Sequence, residues 1–309
     1  MIKICVGVFT LLLLKEKFIK YYSDIIYAFC IISLICLLYN HLVGVLPYVK
    51  VSEGMDGGRS HRVSSIVYTQ LYNLQAGGGQ VFRNCGPFWE PGAFQGFINL
   101  AFMLELLTAP KRNKAWFARI AVFSVSILTT YSSGGYVVLF LNILYLIHTT
   151  RTISAAGKLA LTGGFFALAS LLFVTADFLY AKISADASSD KGRLGVNISD
   201  LFPNSPMLVL FGYGFSAESL SRSTLHTVGS VFNLLRYTGI AGLLAYWIPL
   251  IGIPLSINRL YFACVSVLIM MNEPFITAGP FWWGVPLLYT YIDSYKRKTT
   301  TRYEYIQAR

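Results

Sequence analysis

Arg83-Asn84-Cys85-Gly86-Pro87-Phe88-Trp89-Glu90-Pro91-Gly92-Ala93-Phe94-Gln95-Gly96-Phe97-Ile98-Asn99 is a polar, kinked stretch that runs straight into an apolar one. Proline suits a first helical turn, because the N–H it lacks would be unbonded there. Glu90 therefore lies at or just before a helix N-terminus, where the macrodipole favours a carboxylate. Arg83 and Glu90 stand at the rim of a helix that is itself almost uncharged. Charges beside lipid-soluble segments are costly and tend to mark function.

Working outward, the whole chain reads as lipid-soluble. Over 309 residues, 55% are hydrophobic and 13% charged, with a mean hydropathy of +0.57. A soluble surface needs more charge than that. The apolar runs are continuous rather than alternating, so helices are expected and a closed barrel is not. The expected fold class is all-α, a polytopic transmembrane helical bundle. Its nine spans fall at about 2–14, 24–47, 92–109, 116–131, 134–148, 159–180, 229–250, 254–271 and 275–292. Residues 1–309 are expected to form a single integral membrane domain with long extracytoplasmic loops at about 48–91 and 181–228.

The net charge of +11 reads as topogenic, since lysine and arginine collect in cytoplasmic turns. Lys15, Lys17 and Lys20, then Lys111, Arg112, Lys114 and Arg119, then Arg151 and Lys158, then Arg259, and finally Lys296, Arg297, Lys298 and Arg302 all fall on one side of an alternating topology. No basic polar domain exists, so no nucleic acid is expected. Five cysteines, Cys5, Cys30, Cys36, Cys85 and Cys264, give no disulfide framework, because only Cys85 lies in an outer loop. No small-residue cleavage site follows the apolar Met1–Leu14, so no cleavable signal is expected.

The polar residues of the outer loops carry the candidate chemistry. Glu90 is either a helix cap beneath an aromatic belt or an acceptor for a sugar hydroxyl. Phe88 and Trp89 are either belt anchors or stacking faces. Arg83 either pairs with Glu90 or offers its fork to a phosphate. The second loop holds Arg193, the turn Gly212-Tyr213-Gly214, Arg222 and His226, and the next helix brings Asn233 and Arg236. Histidine exchanges protons near neutral pH. Asn272-Glu273-Pro274-Phe275 reads as a turn first. Ser132-Ser133-Gly134-Gly135 reads as a tight turn that lets two helices approach. No Walker loop, zinc-ligand spacing, nucleophile elbow or outer-loop Asp pair is present, so no metal and no cofactor are expected.

Arg83 with Gly86-Pro87-Phe88-Trp89-Glu90-Pro91-Gly92-Ala93-Phe94 resembles the signature of the O-antigen polymerase and O-antigen ligase superfamily, the Wzy-type polysaccharide repeat-unit polymerases. Arg193, Gly212, Gly214, His226, Asn233, Gly239 and Gly242 resemble its second signature, and Thr130-Tyr131-Ser132-Ser133-Gly134-Gly135-Tyr136 resembles its Thr-x-Ser-Arg-Gly-Gly turn, with Ser133 in the arginine position. The likeness covers roughly residues 80–245.

The resemblance implies a membrane glycosyltransferase that builds exopolysaccharide, capsule or O-antigen. It would work on the periplasmic face of the bacterial inner membrane, with undecaprenyl-pyrophosphate-linked glycan as donor and acceptor. Glu90 or His226 would act as base. Arg83, Arg193, Arg222 and Arg236 would hold pyrophosphate, with Trp89 and Asn233 binding substrate, all in one pocket. A chain-length regulator protein is an implied partner. The alternatives are an O-antigen ligase acting on lipid A core and a transporter or flippase of lipid-linked sugar, which would keep its polar residues at the bilayer midplane.

Overall fold

The computed structural model describes residues 2–44, 48–53, 59–64, 68–73, 80–109, 112–150, 152–175, 205–214, 229–251, 256–273, 275, 280–292 and 295. Helices dominate them. Helix α1 (Ile2–Leu14) and helix α2 (Glu16–Leu42) are separated by Lys15 alone, whose φ of 48° breaks the run. The sequence predicts a basic turn through Lys20 and a second span from about 24. The helix instead begins at Glu16. Glutamate and lysine are good helix formers, an acidic residue suits the first turn, and lysine stems lie along apolar surface with their charge in water.

The stretch expected as an outer loop at about 48–91 is where the all-α reading needs correction. Strands β1 (Tyr48–Glu53), β2 (Arg59–Ser64), β3 (Tyr68–Asn73) and β4 (Gln80–Asn84) form an antiparallel meander in the order β1-β2-β3-β4. Gln70 pairs with His61 on one side and Arg83 on the other. A polar segment this long must bond its backbone groups, and a sheet does so locally. The signal was present in short runs rich in Val, Tyr, Thr and Phe, separated by Gly54, Gly57 and Gly58 and by Gly77, Gly78 and Gly79.

The helices continue as α3 (Pro91–Thr108), α4 (Lys114–Thr129), α5 (Ser133–Thr149), α6 (Ala155–Thr175), the short α7 (Pro206–Phe211), α8 (Ser230–Ile251) and α9 (Ile257–Asn272). A 3-10 turn at Pro280–Gly284 then leads into helical residues 285–292. Among the described residues, two helices are long and apolar enough to cross a membrane, α2 and Ser230–Leu250 of α8. Helices α5 and α9 are apolar but shorter.

Two compact units form. One comprises Ile26–Asn99 and Arg119–Gly192. Its core holds Cys30, Phe94, Ile98, Phe123, Ile127 and Val138, all fully buried. A ladder of buried amides links α3 to α5. Asn142 Nδ2 donates to Asn99 Oδ1 (3.0 Å), and Asn99 Nδ2 donates to Gln95 Oε1 (2.9 Å). Gly135 allows this approach, because a Cβ there would sit 3.0 Å from the Gln95 side chain. Small residues and shared polar groups are how helices associate where burial alone gives no advantage.

The other unit comprises Met1–Ile25, Leu100–Ala118 and Arg193–Arg309. Phe18, Tyr22 and Phe281 stack on one another at 5.4–5.5 Å, and Phe275 lies on Trp282 at 4.1 Å. Ser230 at the head of α8 donates its backbone N–H (3.0 Å) and its hydroxyl (2.7 Å) to the carbonyl of Glu273, at the end of α9. Glu273 thus ties the end of α9 to the head of α8.

Helix α8 is kinked at Gly239 (φ 66°, ψ −169°). The kink disrupts the helical partners of the Arg236 and Tyr237 carbonyls. The elbow after α7 replaces them, with Tyr213 N–H donating to Arg236 O and Gly214 N–H to Tyr237 O, each at 2.9 Å. The two backbones touch, because a Cβ on Gly212 would lie 2.5 Å from the Tyr237 carbonyl carbon and one on Gly239 would strike the Leu210 carbonyl. Gly239→Ala, with a positive φ as well as this contact, is expected to lower stability by about 3 kcal/mol, read as a fall in thermal midpoint in detergent.

Candidate functional site

In the first unit the rim is built where β4 turns into α3. Asn84, buried, accepts the Gly86 N–H at its Oδ1 (3.0 Å) and donates from Nδ2 to Ser33 Oγ on α2 and Thr129 Oγ1 on α4, both at 3.1 Å. Gly86 has a φ of 52°, and a Cβ there would meet the Phe94 ring at 2.7–2.9 Å. This position requires glycine twice over, for its backbone and for its space.

Arg83 is 6% exposed. Its Nε donates to Thr130 O and its Nη2 to Tyr131 O, both at 2.9 Å. These carbonyls belong to the α4–α5 turn, where Tyr131 has a φ of 48°. Arg83 is therefore a strut that braces a strained turn, and two N–H groups expected to grip phosphate are committed to backbone.

Glu90 stands at the head of α3, its carbonyl accepting the Phe94 N–H (3.1 Å). Its half-buried carboxylate accepts from Trp89 Nε1 at 2.9 Å. Arg83 and Glu90 thus take different partners. Phe88 packs inward, stacked on Phe97 (4.4 Å) and Phe94 (5.5 Å), which removes it as a sugar platform. Trp89 is 45% exposed and keeps a face toward solvent. The indole anchors the carboxylate in one orientation, and an anchored carboxylate beside an exposed aromatic face can accept a hydroxyl proton from a sugar seated on that face.

In the second unit Arg236 differs from Arg83. Its Nε and Nη1 are buried and have no hydrogen-bond partner. Its guanidinium carbon lies 5.8 Å from the Tyr213 ring centroid, within cation–π range. Buried guanidinium donors are ordinarily satisfied, and each orphan calls for an explanation. The fork geometry suits a phosphate or carboxylate. Asn233 is buried in the first turn of α8, one turn before Arg236.

Arg193, Arg222 and His226 lie outside the described residues, and so does the expected convergence of Arg193 with Arg83. Sequence reasoning missed Asn84, whose three bonds organise the rim, and the Gln95-Asn99-Asn142 ladder. Asn84 stands in the quoted motif, but nothing in the motif shows the two helices it reaches. Gln95 and Asn99 follow an i, i+4 spacing that marks a shared helix face. Among the described residues, no group of three His, Cys, Asp or Glu side chains is placed to hold a metal. No family model matches the chain, and no curated protein or solved structure matches it.

Proposed function

We propose that the chain is an integral membrane glycosyltransferase that joins lipid-pyrophosphate-linked oligosaccharide repeats, a polysaccharide polymerase of the Wzy type. In this reading nine spans cross the bilayer, with the basic turns in the cytoplasm. The reaction needs a group that holds a diphosphate and a base for a hydroxyl, roles whose chemistry suits Arg236 and Glu90 respectively. Glu90 takes the proton of the acceptor hydroxyl as its oxygen attacks the anomeric carbon. The bond from that carbon to the pyrophosphate oxygen breaks, and undecaprenyl pyrophosphate leaves with the electron pair.

The observation that carries this reading is the Arg236 guanidinium, buried and unbonded at two nitrogens beside an elbow of glycines in an otherwise uncharged helix. A charge in that position has a large desolvation cost unless it meets an anion. Its support is a site for a phosphorylated lipid, which the motif resemblance at Glu90 extends to glycan transfer.

The test is direct. Purified protein is given one defined undecaprenyl-pyrophosphate-linked repeat, and products are separated on a gel. A ladder is expected. One added unit on a different acceptor would make the enzyme a ligase, and no product would end the transferase reading. Glu90→Gln, which keeps the Trp89 hydrogen bond and removes the base, is expected to slow the ladder by about 10²–10⁴-fold.

A further inference from the structure

In the unit that holds Arg236, helices α1 and α8 and residues 283–287 enclose a cavity of about 320 Å³. Val8, Ala245, Trp283 and Leu287 are among its walls, with Thr238 and Tyr246. Both hydroxyls are engaged within the protein. Thr238 Oγ1 donates to Leu234 O at 2.7 Å, and Tyr246 donates to the Trp282 carbonyl. The walls are mostly apolar and both hydroxyl protons are committed, so the slot offers few of the two to four polar partners that a water needs. An uncharged apolar occupant suits the walls.

The surroundings narrow it further. No Asp, Glu, Lys or Arg occurs from Tyr237 through Asn258. Ala245 in the wall is exposed, so the cavity reaches the surface, and its neighbours Leu244 and Ile248 are 59% and 60% exposed. The same helix is one of the two with span length and composition. An apolar opening on the uncharged part of a span-length helix, beyond Arg236, faces hydrocarbon.

We propose that this slot binds one acyl chain of a bilayer lipid, which fills the space between α1 and α8. The proposal rests on the membrane placement given above and is independent of the glycosyl-transfer chemistry.

The experiment uses purified full-length protein in vesicles of phosphatidylethanolamine and phosphatidylglycerol. A fraction of the phosphatidylglycerol carries a diazirine midway along one chain. After irradiation, adducts are mapped by mass spectrometry. Adducts are expected at Val8, Ala245 or Leu287 at probe fractions too low to label Ile35 and Leu38, exposed residues of α2. Ala245→Trp, and separately Leu287→Trp, should abolish the slot adducts while leaving those on α2, seen at high probe fraction, unchanged. Equal labelling of slot and α2, or adducts that survive both substitutions, overturns the proposal. Displacement of the probe by a polyprenyl phosphate also overturns it, making the slot part of the substrate site. Absence of all adducts, α2 included, fails the membrane placement itself and the proposal with it, whereas the gel assay for polymer reports on the chemistry alone.

Discussion

Arg236→Gln is expected to reduce polymer formation about 10²–10³-fold, the loss that follows removal of a preorganised donor aimed at developing charge. The fold should survive. The bonds that hold the α7 elbow to α8 use the backbone carbonyls of Arg236 and Tyr237, so the side chain is not needed for them. Stability is in fact expected to hold or rise, because the substitution removes a partly desolvated charge with two unbonded nitrogens. Activity and stability moving in opposite directions is the diagnostic result. A purely structural arginine would lose both together. Ladder length on a gel and thermal midpoint in detergent measure the two quantities on one preparation. Full activity in the variant, or a parallel loss of both, would remove Arg236 from the site.

The second large effect is on folding. Asn84→Ala is expected to lower stability by about 3–5 kcal/mol, since a buried group left without its partner costs about 1–3 kcal/mol and Asn84 serves three. Asn84→Asp should do little better. The Ser33 hydroxyl already donates to Cys30 O (2.9 Å) and the Thr129 hydroxyl to Ser126 O (2.8 Å). Their oxygens can therefore only accept from residue 84, and a carboxylate has nothing to donate. Recovery of monodisperse protein and the thermal midpoint test this. An Asn84→Asp variant as stable as the parent would mean that the two hydroxyls reorient at little cost.

Local signals in the chain translated well where a residue acts on its own neighbours. Pro91 after Glu90 marked the start of α3 to within a residue, and the apolar runs marked α4, α5, α8 and α9 within a few. The meander was legible from glycine punctuation and β-branched runs, but the strong apolar helices on either side made the stretch look like a connection. Lys15 through Lys20 misled for a different reason, since charge pattern reports topology while helix continuity depends on propensity. Arg83 was recognised as important, yet its partners lie 47 and 48 residues away. Whether an arginine grips a carbonyl or a phosphate depends on such distant contacts, and spacing in a single sequence does not contain them. The same holds for Arg236, whose two unbonded nitrogens no feature of the sequence marks.

The amide ladder between α3 and α5 has a mechanical consequence. Adjacent residues along a helix are about 1.5 Å apart in height, so an axial slip of even one residue would break the Asn142–Asn99 bond and move Gly135 off Gln95. Piston motion of α3 against α5 is thereby blocked. The carboxylate at the head of α3 and the turn at the head of α5 travel as one body, and any opening in this unit must come from segments outside that pair.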